Sequence, residues 1–481
     1  MKRWSAAVAV IVLLTSSCAG FPSKQKPVKL TDTAPLDGLE VNGGGEWPAR
    51  EWWKRYQDPT LDQLISLGGA DSPSLATAHA RYDSARQSVR IAAAESGVHI
   101  DANADAQRQR LSENGLFPPE LLGFTWYNQF DLGIQASYTF DWWGKQRSAV
   151  EAAVDQAHAA EADRIAADLM LASSIADTYF GWQSDQNRLM LAHEKAAAID
   201  AEAAITSARV NAELDPADQV NYSALAQAAV REQIAELEGS ARLRIVALAG
   251  LIGCSISELP PLTPKPLPAF PGALPDDVKL DLISRRADIT ASRWRVEAAE
   301  RNLSSARAAF YPDVSIKALA GVQSLDVTKL LEYGSRVPLM SGAIHLPIFD
   351  AGRIKAQYGG AQVAIEAAVS TYQDTVISAA RDVATQATTR AQIEAQREQR
   401  SQQVQAAKRL KETAAARVRQ EVADSRMELT ATESWIDQRD ALLQLDAAAL
   451  AADVALQRAL GGGYERPKNS TSSASLKTTT P

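Results

Sequence analysis

The chain has 481 residues, a formal net charge of −8, and 6% aromatic residues against 46% hydrophobic ones. A mildly acidic chain lacks the basic surface that nucleic-acid binding needs, so no nucleic-acid partner is expected. Two cysteines exclude a disulfide-stapled framework, and abundant alanine favours long helices packed closely side by side over a bulky globular core.

Lys2 and Arg3 precede an apolar run from Ala6 to Leu14, followed by Thr15-Ser16-Ser17-Cys18. A basic start, a short apolar core and small residues before the cut predict a secretory signal over residues 1–17, too short to span a bilayer. Small residues directly before Cys18 resemble a bacterial lipobox, with Thr15 standing where Leu is usual. Cys18 is then expected to begin the mature chain and to carry a diacylglycerol group and an N-acyl chain, the one covalent addition expected. An ordinary cleaved signal with an incidental cysteine is the alternative. Residues 18–49 read as a tether. No later apolar run reaches about 18 residues, so if this chain spans a membrane it does so as a barrel.

Residues 50–254 form a first unit. Leu75, Ala78, Tyr82, Ala85, Val89 and Ala92 recur at intervals of three and four, which predicts an amphipathic helix to about Ser96. The period then changes to two, predicting strands over about 98–110 and 129–141. Phe130, Leu132, Ile134, Ala136, Tyr138 and Phe140 alternate with polar residues or glycine and end in Trp142-Trp143. Strands with one apolar and one polar face, finished by aromatic rings, suit a membrane barrel with lipid outside and water inside. From Gly144 to about Asn211 there is no proline and almost no glycine, which predicts a helix of roughly 65 residues, about 100 Å long. Such a helix needs neighbours to hold it. Pro216, flanked by Asp215 and Asp218, marks a turn, and a returning helix runs to Leu251.

A linker over 255–275 holds seven prolines and reads as stiff and extended. Residues 276–462 repeat the plan, with strands over about 311–323 and 337–350, a long helix from Ile354 past Gln420, and a return to Leu460. The last strand alternates poorly and contains Pro338 and Pro347, which leaves its edges open. The tail, 463–481, is Ser/Thr-rich and reads as disordered.

The two units are one design written twice. An offset of 214 sets Leu75 on Ile289, Tyr82 on Val296 and Ile100 on Val314. An offset of 208 then sets Gly144 on Gly352, Ala208-Arg209-Val210 on Ala416-Arg417-Val418, and Gly253 on Gly461. That period is too long for a solenoid repeat and describes a duplicated half, so function belongs to a pseudo-symmetric object. Catalytic sites are rarely written twice, and the five histidines are scattered without metal-ligand spacing. No enzyme activity, no metal and no non-covalent cofactor are expected.

Several stretches carry a family resemblance. Leu282-Ile283-Ser284-Arg285-Arg286-Ala287-Asp288-Ile289 leads into Ala308-Ala309-Phe310-Tyr311-Pro312. Leu346-Pro347-Ile348-Phe349-Asp350-Ala351-Gly352-Arg353 and Asp141-Trp142-Trp143-Gly144 mark two strand-to-helix crossings, and Trp52-Trp53 with Asp58-Pro59-Thr60-Leu61 lies near the start. In these the chain resembles the TolC family of outer-membrane efflux ducts, and more narrowly its NodT/OprM-like lipoprotein branch, over about residues 50–462. It departs at Ala287, where the family has Pro, and at Glu213 and Glu421, where Gly is usual. The resemblance implies a mainly α fold with a membrane β-barrel, built from two tandem helix-strand-strand-long helix-helix repeats in a trimer. It marks Arg285, Arg286, Asp288, Pro312, Pro347, Phe349, Gly352 and Gly144 as structural positions. It also implies a periplasmic adaptor and an inner-membrane pump as partners, with this chain as the passive conduit for small toxic compounds or drugs. Four strands per chain agree with a homotrimer, since a closed membrane barrel needs at least about eight. The family places a gate after the second helical turn. Asp424 and Glu428 lie within one helical turn there, with Met427 the next candidate; Asp424 as a plain helix cap is the alternative. Two rival readings are a periplasmic adaptor lipoprotein, with one helical hairpin only, and a coiled-coil envelope protein, which would not need two-faced strands.

Overall fold

The computed structural model describes residues 30, 33–36, 45–114, 118–268, 275 and 282–465. Cys18, the signal and the tail beyond 465 lie outside the described residues. In chain order the elements are α1 (Pro59–Asp71), α2 (Pro73–Glu95), β1 (His99–Arg110), β2 (Trp126–Phe140), α3 (Lys145–Asn211) and α4 (Gln219–Ile252). Then come α5 (Ala287–Ala308), β3 (Asp313–Ser324), β4 (Arg336–His345), α6 (Arg353–Arg419) and α7 (Ser425–Ala459).

The duplication is visible in the element bounds. The offset of 214 carries β1 onto β3 residue for residue, and the offset of 208 carries α3 onto α6, each 67 residues long. Neither long helix contains proline, so nothing interrupts its hydrogen-bond ladder. Both end in the same way, with a residue in the left-handed conformation. Glu213 and Glu421 each have φ 58°, and the next amide, Leu214 or Val422, bonds back to Arg209 O or Arg417 O. Glycine is the usual occupant of such a position, and a glutamate there costs about 1–2 kcal/mol.

The chain divides into two compact units that follow neither repeat. The first contains residues 82–159 and 292–371, the second 160–291 and 372–465 together with the described residues from 30 to 81. Each unit therefore takes matching parts from both halves.

The first unit holds a four-stranded antiparallel sheet in the order β1-β2-β3-β4. Beneath it Ala299, Leu303, Tyr358 and Ile365 form a small core where α5 meets α6. β2 begins at Trp126, before the expected 129, and β3 at Asp313, after the expected 311. β4 stops at His345 where the sequence pattern suggested 350. Pro347 has no N–H to give a ladder, so Leu346–Phe349 leaves the sheet with Phe349 90% exposed. Pro338 lies within β4, opposite Ala320 of β3.

The second unit has the larger core. Leu171, Ile175, Tyr179 and Phe180 of α3 pack with Leu248 and Ile252 of α4, Leu450 and Val454 of α7, and Leu61, Leu64 and Ile65 of α1. α1 and the helical turn Trp52–Tyr56 before it were not part of the expected five-element pattern. They dock here through Tyr56, whose hydroxyl donates to buried Asp453 at 2.7 Å, and through Asp58, which caps α1. Asp58 also accepts from Tyr179 Oη at 2.7 Å and Lys265 Nζ at 2.9 Å, so the N-terminal segment and the linker are tied to one point on α3. The partly buried Cys254 packs against the same cluster.

Candidate functional site

The sheet separates its chemistry by face, because side chains alternate along a strand and the register keeps like with like. One row across all four strands reads Ile100, Ala136, Ala318, Met340, and the next reads Ala102, Ile134, Ala320, Pro338. The opposite rows read Asp101, Gln135, Leu319, Leu339 and Asn103, Gly133, Gly321, Val337. Hydrogen bonds run along the polar face: Asp131 accepts from Gln129 at 2.8 Å and from Gln323 at 2.6 Å. On the apolar face Ile134 is 57% exposed although nothing polar surrounds it. β1 and β4 are exposed along their whole lengths, and among the described residues their outer edges pair with no strand.

Both crossings from strand to long helix use one device. Asp141 accepts from the amides of Gln146 and Arg147 at 3.1 and 2.8 Å, and Asp350 accepts from those of Gly352 and Ile354 at 3.0 and 2.8 Å. Each carboxylate satisfies amides that the helix start leaves without partners. Gly144 and Gly352 take φ 74° and 86° to make the bend, which a side chain would resist. Beside them Trp143 stacks on Tyr311 at 4.6 Å and donates from Nε1 to Pro312 O at 2.9 Å, joining the two halves. Pro347 and Phe349 lie in the segment after β4.

Arg286 is a helix tie. It holds Asp288 with two bonds of 2.6 and 3.0 Å and gives Nη1 to Ala459 O at 2.8 Å, closing the last carbonyls of α7. Asp382 of α6 lies 3.8 Å away. Arg285 instead covers the Trp47 ring at 4.8 Å and pairs with Glu465. Arg286 thus reaches carboxylates at the start of α5 and on α6.

At the helical turns four charges alternate in sign. Arg209 holds Asp215 with bonds of 2.8 and 3.0 Å, and Arg426 reaches the same Asp215 at 3.0 Å and Asp424 at 2.9 Å. Arg209 also stands 3.9 Å from Asp424. The network joins the turn after α3 to the turn after α6. Hydrogen bonds from Arg209 hold the Asp215 carboxyl below the ordinary range, and the Arg426 amide and guanidinium do the same for Asp424. Asp424 caps α7 through the Arg426 amide, so this gate candidate is occupied in a cap and an ion pair. Glu428 sits in the first turn of α7, and Met427 is 47% exposed.

Above the turns α3 and α7 run side by side, linked by a ladder of charges. Arg188 pairs with Asp440 at 2.8 Å, Glu194 with Arg439 at 2.8 Å, and Lys195 with Asp437 at 2.7 Å. One rung breaks the rule, because Glu433 meets Glu202. Glu433 Oε1 is enclosed with no donor, a setting that favours the protonated carboxyl beside Glu202. Burial, then the hydrogen bond and charge of Glu202, push the Glu433 carboxyl from 4.5 up to about 7, against the pull of Lys195. Between 4.5 and about 7 the folded state thus holds a proton that the unfolded chain releases. The contribution is full below 4.5 and lost as pH rises through about 7. The thermal midpoint of the wild type should fall across this window, by the equivalent of ~1–2 kcal/mol after solvent screening, and less steeply in Glu433→Gln, where Asp155, raised by burial to about 6, still titrates. Parallel pH profiles for the two proteins would remove this pair as the cause.

Of the turn network the sequence marked only Asp424; Asp141 and Asp350 stood there only within the crossing motifs, and the Glu202–Glu433 pair was not visible as a site. Arg426 and Asp215 are 211 residues apart along the chain, and only the equal lengths of the long helices hinted that the turns meet. Among the described residues no helix is long and apolar enough to cross a membrane.

A family model described as outer membrane efflux protein matches residues 64–254 and again 280–462, one match to each half. The chain belongs to the outer membrane efflux protein family. It is an outer membrane protein, and the family's two-part match falls on the two halves seen in the fold. Multidrug resistance outer membrane protein MdtP of Escherichia coli strain K12 is 32% identical over 451 residues, spanning 92% of this chain and 91% of MdtP. The solved outer membrane protein VceC of Vibrio cholerae is 32% identical with a TM-score of 0.78, covering 87% of this chain and all of VceC. The outer-membrane channel OprN, at 24% identity and a TM-score of 0.82 over 92% of this chain, shows the shared fold. Two strand pairs, each with its own helical hairpin, set the chain apart from the adaptor and coiled-coil readings. The relatives are channel and membrane proteins rather than enzymes.

Proposed function

We propose that this protein is the outer-membrane channel of a tripartite export system and a passive conduit for small toxic compounds or drugs. The observation that carries the reading is the two-faced sheet with two unpaired edges. An edge strand leaves a row of amides and carbonyls without partners, which no membrane-embedded protein tolerates. Joining β4 of one copy to β1 of the next removes every edge. Two copies would give eight strands, whose lumen side chains fill; three give twelve and leave room for water. The long helices then carry the path through the periplasm, where an adaptor and an inner-membrane pump engage it. The helical turns, with Asp424, Glu428 and Met427 close by, form the gate. Relatives named for multidrug resistance support the cargo class.

Native mass spectrometry of the detergent-purified protein tests the assembly; a trimer is expected, and a stable monomer or dimer as the main species contradicts it. The same preparation in planar bilayers should conduct ions. Asp424→Ala or Glu428→Ala should lower its cation preference, and unchanged selectivity in both would remove these carboxylates from the constriction.

Lipidation of Cys18 completes the reading, since small residues precede the cysteine at the end of a secretory signal. Each buried acyl methylene contributes about 0.8 kcal/mol to the anchor. Labelled fatty acid should enter the wild type and not Cys18→Ala. Absence of label from the wild type ends the lipoprotein proposal.

A further inference from the structure

The sheet's charges are sorted more strictly than a two-faced strand requires. Asp101, Asp105, Asp131 and Asp313 all lie on the polar face, and Lys317 lies with them. All three arginines of the sheet, Arg108, Arg110 and Arg336, lie on the apolar face, where there is no carboxylate. They are also sorted along the strands. Arg108 and Arg110 end β1 and Arg336 begins β4, so all three stand at the end where loops join the strands. The opposite end of that face, from which α3 and α6 leave, presents Phe140, Val314 and Ile344 and no charge.

Arg110 has a counter-ion in exposed Glu113, at 3.2 Å. Arg108 and Arg336 have rings instead. The Arg108 guanidinium lies over the Trp126 ring at 5.5 Å, and that of Arg336 over Tyr333 at 4.4 Å. Trp126 is 54% and Tyr333 79% exposed, so both cation–ring pairs are open to the surroundings. An arginine stacked on a ring keeps its edge donors free and fixed in direction, the arrangement that suits two-point binding of phosphate. On a face without carboxylates and apolar beyond Asn128 and Ser324 at this end, such a donor fits an amphiphile whose acyl chains cover the alanines and valines and whose phosphate meets the guanidinium.

We propose that the loop end of the apolar face binds phosphate-bearing glycolipid of the outer leaflet, through Arg108 on Trp126 and Arg336 on Tyr333. The inference rests on the reading of this sheet as part of a closed barrel whose apolar face meets lipid. The occupant is anionic because two cations on this face have no carboxylate. It is a lipid because the rows further along this face, from Ala102 to Pro338 and from Ile100 to Met340, are apolar, with Asn128 and Ser324 uncharged beside the arginines. It belongs to the outer leaflet because the helices leave from the other end of the strands.

The test uses the full-length protein purified in detergent and mixed with lipid A carrying both phosphates or, separately, with lipid A stripped of them. Native mass spectra count lipid retained by the assembled oligomer. Wild type should retain the phosphorylated form in preference, and R108Q/R336Q should retain about thirtyfold less of it, as losing two surface cations predicts. Lys317→Gln, on the polar face, should match wild type. Equal retention of the two lipids by the wild type, or of phosphorylated lipid A by wild type and R108Q/R336Q, overturns the proposal while leaving the barrel intact. Recovery of monomer alone overturns the barrel reading, and this inference with it.

Discussion

Ile134→Lys should abolish recovery of assembled protein from outer membranes, while Gln135→Lys, one residue along, should leave it near the wild-type level. Ile134 lies mid-strand on the apolar face and Gln135 on the polar one. A lysine at the middle of a lipid-facing strand costs about 2–4 kcal/mol per copy, and every subunit of an oligomer carries it. Against a total stability of about 5–15 kcal/mol for an ordinary domain, that repeated penalty is decisive. Membrane fractionation followed by separation without boiling reads the result. Equal recovery of the two variants would mean that this face does not meet lipid, and equal loss that neither face tolerates charge.

The second large effect is expected at the helical turns. Arg209→Ala combined with Arg426→Ala leaves Asp215 and Asp424 without either cation they now share. The turn after α3 then has no bond from this network to the turn after α6, and two carboxylates repel across the gap. Bilayer recordings should show open probability rising about tenfold, within the range that one coupling element commands. Depressed carboxyl groups contribute stability above their ordinary range near 3.8 and lose it only as pH falls lower still. The lock should therefore persist through neutral and mildly acidic conditions, where the Glu202–Glu433 rung changes in the opposite sense. An unchanged closed fraction in the double variant would show that the turns are held by something other than these four side chains.

What could be read from residues alone was whatever repeats at short range. Alternation from Phe130 to Phe140 gave the strand and its apolar side without any tertiary information. The lack of proline between Gly144 and Asn211 gave a helix whose bounds match to one residue. Local rules were weaker at ends, as with β4, where Pro347 decided the boundary against an alternation already faint. Charges were least legible. Asp215 and Arg426 lie 211 residues apart, and their meeting depends on the register of two long helices that no local pattern reports. Asp424 illustrates the limit from the other side. Sequence left it as gate or cap, and the structure shows a cap, which is compatible with either role in the assembled protein.

The two long helices are the same length to the residue, and that equality governs how this chain can change over time. Inserting about eleven residues into α3 alone adds roughly three turns and moves its tip by about 16 Å. The same insertion in α6 brings the tips level again. A single event in either helix is thus penalised until its twin is altered in step, so the gap such a protein bridges is inherited as a matched pair of lengths. Descendants suited to a wider or narrower gap are expected to differ in both halves by the same number of turns.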